Sequence, residues 1–264
     1  MPRFSVDGVS FYYERSGTGP RLLFLNGSGA SIAGSAATIE TLSNNFDLAV
    51  HDQRGLGATD VAPGPYSMAG YASDAIALLD HLDWPTAYVI GISFGGMVAQ
   101  ELAVTWPERV SRLALVCTSS GGAGGSSYPL HTRADVPDEQ QDALTLRLLD
   151  NRFTPDWLSK NPKQLPLADF ALSRRRAETS DDQQRGEALQ LEARSHHDVW
   201  DRLHRITCPT LVACGRFDDM APLANGQAIA SRIPQARLTV FEGGHAFMFQ
   251  DRNAFPTIVD FLCE

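Results

Sequence analysis

A serine hydroxyl is a weak nucleophile until a tight turn exposes it beside a base. Gly91-Ile92-Ser93-Phe94-Gly95 has the pattern for such a turn, because it follows the apolar run Ala87–Ile92 and leads into the helical pattern Gly95–Thr105. Glycines two before and two after the serine suit a bend so sharp that a Cβ there would meet neighbouring backbone, while Ser93 itself must hold strained φ/ψ angles. The bend pushes Oγ out at the top of a sheet. It also leaves the next N–H at a helix N-terminus, where developing negative charge is favoured. Such a hydroxyl needs an imidazole to take its proton and a carboxylate to hold that imidazole. Among seven histidines, His245 alone follows a strand end (Leu238–Phe241) inside a glycine-rich loop, Gly243-Gly244-His245. His51 falls in a strand, His81 on a helix, and the others in a long middle segment. The carboxylate is Asp218 or Asp219, directly after the apolar run Pro209–Cys214.

The elements that must position these groups alternate along the chain. Val9–Arg15, Arg21–Leu25, Asp47–His51, Ala87–Ile92, Arg112–Cys117, Pro209–Cys214 and Arg237–Phe241 read as strands. Several are apolar on both faces, as parallel strands covered by helices are. Tyr71, Ala75, Leu78, Leu79 and Leu82 share one helical face, and Asp251–Leu262 reads as a closing helix. The alternation predicts an α/β fold with a doubly wound, mostly parallel sheet. Residues 119–205 break the rhythm with helical, proline-punctuated sequence too long for a connection, which predicts a helical cap insertion between core segments 1–118 and 206–264. Its opening, Ser119–Ser127 (SSGGAGGSS), reads as a hinge or flexible loop.

Taken together, these motifs resemble the α/β-hydrolase fold family from Val9 to the C-terminus, most weakly in the insertion. His51–Asp60 (HDQRGLGATD) is similar to the family's D-x-R-G-x-G-x-S-D loop, Trp106–Val110 (WPERV) to its Y-P-E-R-V, Gly215–Pro222 (GRFDDMAP) to its G-x-x-D-x-x-x-P acid loop, and Gly243–His245 to its histidine loop. The resemblance implies a Ser-His-Asp triad in the order Ser93, Asp218, His245, since the family's acid precedes the proline, here Pro222, by four. Asp219 is then a loop or cap carboxylate near the helix that starts at Pro222. The implied oxyanion donors are the backbone N–H groups of Phe94 and of Ser28, the latter in the loop Asn26-Gly27-Ser28-Gly29. Where the family has His-Gly this chain has Asn26-Gly27, and Asn26 is expected to brace the loop through its amide. Asp52, Arg54 and Asp60 read as a paired structural network beneath the site. Phe153, Trp157, Leu158, Leu165, Leu167, Phe170 and Leu172 of the insertion, with Asn26, Gly27, Phe247 and Met248, are the candidate substrate pocket, and Arg174–Arg176 read as a solvated helix face.

Composition narrows the chemistry. The formal charge is −9, with only Lys160 and Lys163 as lysines, and neither lies in a Walker A pattern. An acidic chain disfavours nucleic-acid and anionic-membrane surfaces. No signal peptide, membrane span or CxxC spacing occurs, so a cytoplasmic, disulfide-free protein without metal or cofactor is expected. The third glycine of a dinucleotide fingerprint is missing after Gly55-Leu56-Gly57. His197, Asp201 and His204 share a helical face without an HExxH motif, a weak basis for a metal site. A serine at the elbow argues against dehalogenase and epoxide-hydrolase chemistry, whose ester intermediate needs a carboxylate nucleophile. The expected function is hydrolysis of a carboxylic ester or lactone of a small, mostly apolar substrate. A 3-oxoadipate enol-lactonase-like, carbon–carbon bond hydrolase or cofactor-free peroxidase-like activity is the alternative, and a ligand-binding member without catalysis is the reading from another class.

Overall fold

The computed structural model describes residues 2–264. Eight strands form one sheet: β1 (Arg3–Val6), β2 (Val9–Ser16), β3 (Arg21–Leu25), β4 (Asp47–His51), β5 (Ala87–Ile92), β6 (Val110–Val116), β7 (Thr210–Gly215) and β8 (Ala236–Phe241). Their order across the sheet is β1-β2-β4-β3-β5-β6-β7-β8. The first two pair antiparallel and β2 runs antiparallel to β4, whereas β4 through β8 are mutually parallel. The edge strand β1 has no counterpart in the sequence reading. At four residues it is too short to show an alternation, and it forms because Phe4 stacks on Phe11 of β2 across the hairpin at 4.9 Å.

Helices cover both faces, as the two-sided apolar strands require. α1 (Ala36–Ser43) follows β3, α2 (Met68–His81) follows β4, and α3 (Phe94–Thr105) follows β5. One face buries α2 and α3 with Tyr71, Leu79, Trp84, Phe94 and Leu102, and the other buries Phe24, Leu42, Phe46 and the C-terminal helix residues Ile258 and Leu262. Between β6 and β7 lie α4 (Asp138–Leu149), α5 (Pro155–Lys160), α6 (Leu165–Arg176) and α7 (Asp181–Ser195), with no strand. Then come α8 (Leu223–Arg232), α9 (Phe247–Gln250) and α10 (Ala254–Cys263). Among the described residues no helix is long and apolar enough to cross a membrane.

The β6–α4 segment corrects one expectation. Ser119–Ser127 is not a loose hinge, because its small residues are small to admit close packing. Ser119 and Ser120 are fully buried, and a Cβ on Gly121 would lie 1.8 Å from the His197 carbonyl oxygen. One on Gly124 would lie 2.3 Å from the Trp200 ring.

Candidate active site

The loops after β3, β5, β7 and β8 all leave the carboxyl ends of parallel strands, the edge where open α/β sheets build their sites. Ser93 stands between β5 and α3 at φ 56°, ψ −114°, a left-handed strain that the surrounding glycines permit. An added Cβ would lie 2.3 Å from the Gly95 carbonyl oxygen on Gly91, and 2.0 Å from the Leu25 carbonyl oxygen on Gly95. The elbow is therefore wedged against β3, and Ser93 N–H donates to the Val116 carbonyl of β6 at 2.8 Å.

The structure brings Ser93, His245 and Asp218 into one hydrogen-bonded line. Ser93 Oγ lies 3.0 Å from His245 Nε2, and His245 Nδ1 lies 2.8 Å from Asp218 Oδ2. The Asp218 carboxylate only accepts, so Nδ1 carries the proton toward it and Nε2 is left to receive the serine proton. The other carboxylate oxygen, Oδ1, accepts the backbone N–H groups of Met220 and Ala221, each at 2.8 Å, which locks its plane. Burial disfavours an imidazolium at His245, yet the Asp218 charge opposes this and holds its pKa well above the ordinary value. Asp219 points elsewhere: Asn151 Nδ2 donates to it at 2.9 Å and Arg147 lies at 3.4 Å, so it neither caps α8 nor reaches the histidine.

In front of Ser93 runs the β3 loop. An ideal Cβ on Gly27 would stand 3.6 Å from Ser93 Cβ, which places that backbone directly against the nucleophile. The N–H groups of Ser28 and Phe94 have no acceptor among the described residues. Phe94 is the first residue of α3, where an N–H has no intrahelical partner. Asn26 braces the loop differently from a histidine: its Oδ1 accepts Ser35 Oγ at 2.8 Å and its carbonyl accepts Gln53 Nε2 at 2.7 Å.

Sequence reasoning missed several contributors. Cys117, at φ 41° just past the end of β6, has its Sγ within 4.8 Å of the ligating atoms of His245 and Asp218. Its position beside the elbow strand at the same level was the available signal. Gln190 of α7 accepts the Gly29 N–H at 2.8 Å, and Arg174 of α6 donates to the Gly29 carbonyl at 2.9 Å, so two insertion helices grip the β3 loop. The turn after α4 also ties down the histidine loop, since His245 N–H donates to the Leu149 carbonyl and Gln250 donates to the buried Asp150 at 2.8 Å.

Residues 20–252 match the family described as the alpha/beta hydrolase fold. The chain belongs to the α/β-hydrolase fold family. A 3-oxoadipate enol-lactonase 2 of Acinetobacter baylyi is 31% identical over 242 residues, 91% of this chain and 87% of that enzyme. A poly(3-hydroxyalkanoate) depolymerase of Ectopseudomonas oleovorans is 30% identical over 244 residues, covering 91% of this chain and 83% of its own length. The crystal structure of an enol-lactonase from Burkholderia xenovorans superposes with a TM-score of 0.81 at 26% identity over all of both chains.

Within this α/β-hydrolase several expected pocket residues pack into apolar cores. Phe247 is fully buried and stacks on Phe241 at 5.0 Å within the sheet core, and Met248 packs in the same cluster. Phe153 stacks on Trp157 at 5.5 Å, in a small core of the insertion that also holds Leu158 and Leu167. These side chains are apolar because they hold helices together. Leu165 and Phe170 are exposed. Asp52, Arg54 and Asp60 do not pair with one another. Asp52 accepts the Ile32 and Ala58 N–H groups, Arg54 forms a two-pronged ion pair with buried Asp74 of α2, and Asp60 accepts Ser10 N–H. Arg175 and Arg176 pair with Asp142 of α4 and are not merely solvated. His197 is buried while Asp201 is 92% exposed at its side chain, so the helical face considered for a metal does not converge.

Proposed function

We propose that this α/β-hydrolase cleaves a carboxylic ester or lactone through an acyl-enzyme on Ser93. The observation that carries the reading is the continuous Ser93–His245–Asp218 line at 3.0 and 2.8 Å. Ser93 Oγ attacks the substrate carbonyl carbon while His245 Nε2 takes its proton, and Asp218 balances the imidazolium. The carbonyl π pair moves onto oxygen, which the Phe94 and Ser28 N–H groups receive. Collapse of this tetrahedral species breaks the bond to the alkoxide, to which His245 returns the proton. In a lactone that alkoxide stays tethered to the acyl group. Water, deprotonated by the same nitrogen, then attacks the acyl-enzyme, and its collapse releases the acid and restores the serine.

Lactones are the narrower reading, supported by the likeness to enol-lactonases in both sequence and fold. Short p-nitrophenyl esters assayed beside a simple lactone and an enol-lactone test the proposal. Turnover that disappears in Ser93→Ala, together with Ser93 labelling by a fluorophosphonate, is the expected result. A folded protein inert to every substrate and to the probe would sink it in favour of a ligand binder, and a preference for the lactones would select the narrower reading.

A further inference from the structure

A polar cavity lies one helical turn past the nucleophile. It has a volume of about 190 Å³, lined by Met97 of α3, Ser119, Ser126 and Ser127 of the small-residue segment, His131, and Arg194 with His197 at the end of α7. Met97 follows Ser93 by four residues, about 6 Å along the helix. Thr118, next to Ser119, donates to the Ser93 carbonyl at 2.8 Å.

Arg194 is only 6% exposed. Its Nη1 donates to the Tyr128 carbonyl at 2.8 Å and its Nη2 to Ser127 Oγ at 2.7 Å, whereas Nε has no partner. No carboxylate among the described residues pairs with it: Glu101 is held by both prongs of Arg202, and Asp198 accepts the Trp200 N–H. Burial alone pulls the guanidinium pKa down to about 10, so it stays charged at neutral pH. His197 is equally buried; its ring has no side-chain partner and only a loose contact with the Ser119 backbone. Desolvation lowers its pKa to about 4, so the ring is neutral and offers one N–H. A buried cation without a counter-charge is costly, and so is each unpaired donor. The arrangement persists most economically when an anion fills the cavity.

We propose that this cavity is a binding site for a small carboxylate. A single carboxylate matches the single positive charge, and the guanidinium hydrogens not used by Tyr128 and Ser127 are the fork that donates to its oxygens. A phosphate dianion would leave a net negative charge beside a neutral histidine. The site itself is independent of the esterase or lactonase reading. Its use for the acid end of a carboxylate-bearing ester or lactone rests on that reading.

The test separates the two. Thermal unfolding of the Ser93→Ala protein is followed while sodium acetate or propionate is added, against sodium chloride at equal ionic strength. A saturable rise of about 4 °C with the carboxylates alone is expected. Arg194→Met should abolish it, and Arg194→Lys, which keeps the charge without the fork, should weaken it. Identical curves for acetate, propionate and chloride overturn the site, as does an unaltered response in either variant. Arg194→Lys serves if the methionine variant does not fold. In active protein, kcat/KM is then compared for p-nitrophenyl acetate and p-nitrophenyl hemisuccinate. A tenfold or greater loss confined to the hemisuccinate in the Arg194 variant assigns the site to the substrate's own carboxylate, and equal effects on both esters assign it to a free acid. Absence of turnover on any ester would count against the hydrolysis proposal and leave the thermal-unfolding result standing.

Discussion

At Ser93 the backbone is strained so that one oxygen can face one nitrogen, and each neighbour of that pair has a separable role. Asp218 uses its two oxygens differently: Oδ2 accepts from His245, and Oδ1 accepts from the Met220 and Ala221 amides. An Asp218→Asn side chain can keep the amide bonds through its oxygen, but its NH₂ then faces Nδ1 and drives the histidine proton to Nε2, where it blocks the serine. The expected outcome is a folded protein whose kcat falls by about 10⁴, read from steady-state kinetics beside an unchanged circular dichroism spectrum. A loss of under tenfold would remove Asp218 from the role proposed for it. The pH profile follows from the same contact. His245 must be neutral at Nε2 to accept a proton, and Asp218 raises its pKa above the usual 6.5. The acid limb of kcat/KM is therefore expected above pH 6.5, with activity rising as pH rises through it. A limb at or below that value would contradict the electrostatic assignment.

Helices of the insertion reach the site through contacts that admit no extra atom. α7 crosses the Asp52–Asp60 loop where a Cβ on Gly186 would lie 1.9 Å from the Gly55 carbonyl oxygen, and from there Gln190 reaches Gly29. Gly186→Ala must lift α7 off that loop. The expected cost is about 1–3 kcal/mol of stability, with a fall in kcat/KM as the grip on the β3 loop loosens. Gly34→Ala, whose Cβ would meet nothing nearer than 3.7 Å, is the comparison expected to change neither. Thermal unfolding and ester kinetics of the two variants decide it, and a Gly186→Ala protein indistinguishable from Gly34→Ala would refute this account of the docking. The same contacts mark where sequence stopped being legible. The parallel strands declared themselves by apolar runs, and Ser93, Asp218 and His245 by their place after strands and their glycines, because these signals are local. Whether a glycine serves to bend, to loosen or to let another backbone approach is settled by a partner far along the chain. Ser119–Ser127 was therefore misread as a hinge, and the weak periodicity of α6 and α7 hid the reach of Arg174 and Gln190. The core packing of Phe247 and Phe153 was hidden for a related reason, since an aromatic ring signals burial without naming what it is buried against.

Over the whole molecule, protonation links stability to pH through groups outside the proposed chemistry. His51 is buried on β4 against the Phe4 and Phe11 rings, and desolvation lowers its pKa to about 4. His197 is lowered to about 4 as well, also by burial. In the unfolded chain both return to about 6.5, so between pH 6.5 and 4 the unfolded state binds more protons and folding weakens as pH falls. Each group contributes up to about 3 kcal/mol that is present above pH 6.5 and gone by pH 4. His245 has the opposite sign: its raised pKa adds stability that is complete below 6.5 and lost as pH climbs through the folded value. The two buried histidines outnumber it on the acid side, where its contribution is already saturated, so among the histidines His51 and His197 set the slope below pH 6.5; the Asp52 and Asp74 carboxyls, raised by burial, oppose it toward the acid end. Melting temperature is expected to drop steadily from pH 6.5 to 4. In His51→Gln, compared with its own value at pH 7, the drop should be cut by half or more, because one of the two destabilising linked protons is gone while the opposing carboxyls remain. A parent whose melting temperature is flat across that window, or a variant that loses as much as the parent, would show that neither imidazole is held neutral by its burial.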